Sequence, residues 1–129
     1  MSKIDWLGKL KWTDEQLDDL RMTAFAYIRQ GKYDIALPFF EALCVLNPDN
    51  AYDAQTLGAL YLQMSKPEIA LKHFDRALKL DAEHAPTLLN VAKAFFMLGK
   101  TEEGVRLAQI LQQEQDPYIS NTAKALILA

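Results

Sequence analysis

The feature that most constrains this chain is its resemblance to itself. Displaced by roughly 34 residues, a period at which helix pairs stack into arrays, the sequence falls into register. Tyr27 meets Tyr61 and then Phe95; Ala36 meets Ala70 and then Gly104; Gly58 meets Ala92, Phe40 meets Phe74 and Leu46 meets Leu80. The units are 17–50, 51–84 and 85–118, the third the most diverged. A unit this short cannot bury an apolar face alone, so neighbours must stack, and about three are needed for a stable array.

Spacing inside the units is helical. Leu57, Tyr61 and Met64 recur on one face, as do Ala70, Phe74, Ala77 and Leu78. Small residues (Ala24, Gly58, Ala92; Ala36, Ala70, Gly104) stand where two helices approach closely, with Tyr27, Tyr61, Phe95, Phe40 and Phe74 filling the space beside them. Gly31 and Gly99 suit helix C-caps, which want a left-handed backbone. Thr13-Asp14-Glu15-Gln16 and Ser65-Lys66-Pro67-Glu68 both read as capping boxes opening helices. Pro38 is the misfit, since it removes a helical hydrogen bond unless it lies in a first turn.

Composition excludes several classes. Fourteen Lys and Arg against 17 Asp and Glu leave a charge of -3, which argues against nucleic acid or an anionic membrane surface as partner. No stretch approaches the ~20 apolar residues of a bilayer span. Asp5, Lys9 and Lys11 interrupt any secretory signal, and a single cysteine points to a reducing cytoplasm. The expected molecule is one domain, 1–129, closed by a C-terminal helix over about 117–129. Both ends are unusually apolar: Ile4, Trp6, Leu7, Leu10 and Trp12 at one, Ala125–Ala129 at the other. The first stripe is expected to bury against a second copy or a partner chain.

Catalytic and ligand motifs are incomplete. Gly99-Lys100-Thr101 ends like a phosphate loop but has Ala94 where the earlier glycine belongs. His73 and His84 have no second histidine at ligand spacing and read as solvent-facing. Cys44 lies in an apolar run without a base and reads as a buried structural thiol. Asp14 and Glu15, Asp18 and Asp19, and Glu102 and Glu103 read as helix N-terminal charge. No enzyme, cofactor or metal is expected.

Leu57-Gly58, Tyr61, Ala70, Phe74 and Ala77, with Gly31, Tyr33 and Pro48 in the first unit, resemble the tetratricopeptide repeat. The repeat's tryptophan is replaced by Leu20, Ala54 and Leu88. The resemblance implies an all-α, right-handed superhelix of three helix hairpins plus a C-terminal capping helix. It also implies a concave face lined by the first helix of each hairpin. Its residues would be Arg21, Phe25, Ile28 and Arg29, then Tyr52, Gln55, Ala59 and Leu62, then Leu89, Lys93, Phe96 and Met97. By the same resemblance Gln55 and Lys93 are the expected polar contacts, and Arg21 and Arg29 receive a carboxylate of the bound segment. The carboxylate clamp of some relatives is absent, its positions being taken by Arg21, Phe25, Thr56, Pro86 and Asn90.

The runs Leu20–Tyr27, Gln30–Ala36 and Phe40–Leu46, the last holding Leu43-Cys44, are more specific, and Leu57-Gly58-Ala59 and Gln63 extend them. Over residues 15–113 the chain resembles the tetratricopeptide chaperones of bacterial type III secretion, in particular those serving hydrophobic translocator subunits. The resemblance implies a cytoplasmic holding chaperone with a secreted client in its concave groove. It also implies a homodimer or a small co-chaperone meeting the apolar N-terminus. The length leaves a needle-subunit chaperone open, and the repeats alone leave open a generic interaction scaffold.

Overall fold

Thr13 opens the first helix with a reciprocal cap. Its hydroxyl accepts from the Gln16 N–H at 3.1 Å, while its own N–H donates to Gln16 Oε1 at 2.9 Å. From there the structure, a computed structural model describing residues 12–129, is helical throughout. The helices are α1 (Asp14–Arg29), α2 (Tyr33–Leu46), α3 (Ala51–Gln63), α4 (Pro67–Leu80), α5 (Ala85–Met97), α6 (Thr101–Leu111) and α7 (Pro117–Leu128). Each packs on the next, so α1 with α2, α3 with α4 and α5 with α6 form three hairpins and α7 covers the end. Beyond these neighbours α3 meets α5 and α5 meets α7, which sets the first helices of the second and third hairpins and the closing helix side by side. No strand occurs among the described residues. None of their helices is long and apolar enough to cross a membrane.

The three hairpin turns share one construction. Gly31, Ser65 and Gly99, one repeat apart, have φ of 74°, 61° and 77°. In each turn the left-handed residue donates its N–H to a carbonyl three residues back. The following residue (Lys32, Lys66, Lys100) then donates to Tyr27, Tyr61 or Phe95. Ser65 therefore closes α3 rather than capping α4. The second capping box does not form, and Lys66 stands at that N-cap without a side-chain bond. Pro38 lies a full turn inside α2, so the Asp34 carbonyl goes without its helical donor, on the exposed side of the helix.

Two apolar clusters run through the stack. The first joins Leu17, Ala24, Ala36, Phe40, Leu43, Ala54, Leu57 and Ala77. The second joins Leu89, Ala108 and Leu111 to Ile119 and Ala123 of α7, with Leu126 and Ile127 packed against it. Of the apolar C-terminal run, Leu128 remains largely exposed. Phe40 and Phe74 are fully buried, each worth roughly 2–3 kcal/mol of transfer free energy.

Candidate functional site

Between α1 and α3 the stack leaves a cleft of about 290 Å³. Phe25 and Ile28 of α1 form one wall, and Gln55, Thr56, Ala59, Leu60 and Gln63 of α3 the other; Tyr33, the first residue of α2, completes the lining. The α3 residues fall at helical spacing: 56, 60 and 63 make one stripe, 55 and 59 the adjacent one. Phe25 is 37% exposed and meets the buried Phe40 edge-on, ring centroids 5.3 Å apart. It is thus anchored on its inner edge and open on its outer one. The lining is mostly apolar, and Gln55 and Gln63 present amides that both donate and accept. Such a cleft suits an apolar side chain with polar backbone beside it.

Four of the expected concave residues, Phe25, Ile28, Gln55 and Ala59, meet in this cleft. Tyr52 and Met97 are exposed elsewhere, Tyr52 edge-on to His84 at 5.2 Å, and Arg29 is exposed at the end of α1. Leu62 and Lys93 are half-buried outside the cleft lining.

Three expectations are corrected. Leu89 is 2% exposed, enclosed by the second cluster because α7 lies over that side of α5. Phe96 lays its half-buried ring on α6, 3.0 Å from where a Gly104 side chain would begin, rather than standing free on the cleft side. Arg21 has no free fork for a client carboxylate, since it binds Asp53 and Asp18. Tyr33, Thr56, Leu60 and Gln63 were not foreseen as lining residues; the stripe at 56, 60 and 63 is the signal that reveals the last three, and no sequence signal marks Tyr33.

The two histidines have structural neighbours. His84 Nδ1 lies 2.7 Å from the Thr87 hydroxyl, and His73 is half-buried, stacked on Tyr61 at 5.4 Å, so neither faces solvent freely. Burial, then Arg76, lowers the His73 pKa. Burial, then the Glu41 carboxylate, raises that of Tyr61. Cys44 is buried, which, with Asp53 adding to it, pushes the thiol up to about 11. Asp14 and Glu15 lie in the first turn of α1 and Glu102 and Glu103 in that of α6, whereas Asp18 and Asp19 lie beyond it. Among the described residues no group of acidic, histidine or cysteine side chains could hold a metal ion. Trp12 is 40% exposed; Ile4, Trp6, Leu7 and Leu10 lie outside the described residues.

Comparison with known proteins matches residues 29–111 to a family model described as anaphase-promoting complex, cyclosome, subunit 3. A curated relative, a DnaJ homolog subfamily C member 7 homolog of Schizosaccharomyces pombe, is 34% identical over 78% of this chain and 21% of its own length. The chain spans a quarter or less of the curated relatives it matches. Among solved structures it superposes on PcrH in complex with the chaperone binding region of PopD. That match has a TM-score of 0.80, 24% identity and 92% of each chain covered. It also superposes on the Yersinia enterocolitica type III secretion chaperone SycD in complex with a peptide of the translocator YopD. Here the TM-score is 0.73 and the identity 25%, over 90% of this chain and 95% of that one. The resemblance to translocator chaperones read from the sequence thus holds at the level of the fold.

Proposed function

Starting from the family to which the chain belongs, that of anaphase-promoting complex, cyclosome, subunit 3, we propose a holding chaperone of type III secretion. Its client is a translocator subunit, and an apolar segment of that client sits in the cleft between α1 and α3. The observation that carries the reading is the cleft itself, with Phe25 fixed on Phe40 and still open to the outside. Support comes from the SycD–YopD complex, a chaperone of the same fold at 25% identity with a translocator peptide bound.

The mechanism is occupancy without turnover. A secreted subunit that inserts into membranes exposes apolar segments, and these aggregate in the cytoplasm. Burying one in the cleft removes that surface from water at roughly 25 cal/mol per Å². The Gln55 and Gln63 amides meet the segment's backbone, whose polar groups are costly to leave unpaired. Release needs no bond chemistry, so the client leaves when it is unfolded for export.

The test is co-expression with a translocator subunit. The unaltered chain should keep the client in the soluble fraction as a complex, and Phe25→Glu should leave it aggregated. If the client stays insoluble with the unaltered chain, while two folded proteins are recovered bridged by it, the chain is a scaffold instead.

A further inference from the structure

Arg21 stands one turn before Phe25 on α1, and Asp53 one turn before Thr56 on α3, so both continue the two walls of the cleft. Arg21 reaches across between them with two parallel bonds, Nε to Oδ1 at 2.7 Å and Nη2 to Oδ2 at 2.8 Å. The Asp53 residue is 1% exposed and the Arg21 side chain 17%. Each end is held in turn. Nη1 donates to Asp18 at 2.6 Å, and the Asp53 N–H donates to the α3 cap residue Asn50 at 2.9 Å.

A forked pair of this kind fixes distance and angle together. A buried pair adds little net stability over apolar side chains of the same volume, because both charges lose their hydration. What it supplies here is geometry. We propose that Arg21 and Asp53 are positioning residues, a strut that sets the separation of α1 and α3 and so the width of the cleft. Its bearing on client binding rests on the function proposed above; its bearing on helix spacing does not.

Arg21→Met with Asp53→Leu removes the strut and leaves no buried charge behind. Spin labels at Met22→Cys and Tyr52→Cys, both exposed positions, with Cys44→Ala in the background, read the spacing directly. The intact pair should give one narrow distance distribution, and the double variant a broader or shifted one. With the chaperone binding region of PopD as probe, affinity should fall by about tenfold while the melting temperature holds. Arg21→Lys keeps the charge without the fork. It should move both readouts the same way by less, and it carries the test alone if the double variant does not fold. Unchanged label distances in a folded variant overturn the strut. Broadened distances with unchanged affinity overturn its role in the cleft. Broadened distances in a chain that never binds the probe overturn the client reading and leave the strut standing.

Discussion

The ring of Phe74 occupies the place where a side chain on Gly58 would begin: a Cβ there would lie 2.5 Å from Cε1. The two residues belong to α3 and α4, and their contact sets how closely the second hairpin closes. Phe74 is fully buried and cannot swing aside. Gly58→Ala should therefore destabilise by about 1–3 kcal/mol from overpacking, against a helix-propensity gain of about 1 kcal/mol. Gly104→Ala should cost less, because the Phe96 ring it meets is only half-buried and can give. Urea denaturation of the two variants checks the order.

Ser65 holds the conformation that Gly31 and Gly99 hold without penalty. Left-handed backbone costs an L-residue roughly 1–2 kcal/mol. Ser65→Gly should recover about 1 kcal/mol and raise the melting temperature by about 4 °C. Gly31→Ala should lower it.

Cys44 should resist modification. With the folded thiol at about 11 and the free group at 9.0, almost no thiolate exists at neutral pH. An aromatic disulfide reagent should react only as fast as the protein unfolds. The unfolded thiol ionises first as pH rises, so its linked stability is present below pH 9 and is lost between about 9 and 11.

His73 links stability to acid. Its folded pKa is lowered, so below pH 6.5 the unfolded state takes up the proton first and stability declines with falling pH. His73→Gln should flatten that decline. Urea midpoints at neutral and mildly acidic pH, compared between the two proteins, isolate the effect from that of the carboxylates.

Periodicity carried the fold because both signals it needs are local. Gly58 opposite Phe74 and Gly31 before Lys32 can be read from residue size and backbone freedom alone. Ser65 was misread because serine with proline two and glutamate three residues on has the chemistry of an N-cap, while the repeat register demands a left-handed turn. Leu89 and Phe96 were misplaced because α5 is apolar on more than one side, so spacing alone cannot say which side meets α7 or α6. The Arg21–Asp53 pair joins two helices through a distance in space that no sequence interval encodes. Phe25, Ile28, Gln55 and Ala59 were legible because the first helices of stacked hairpins share one register.

Filling the cleft tests the central claim most directly. Ala59 lines it and is half-buried, so Ala59→Phe places a ring in the space assigned to the client and removes no existing contact. Calorimetric titration with the chaperone binding region of PopD should show binding to the unaltered chain. For Ala59→Phe, with helicity and melting temperature retained, the affinity should fall by about tenfold or more, the loss of one buried anchor. Equal affinity in the two proteins would contradict the account and move the client to another surface.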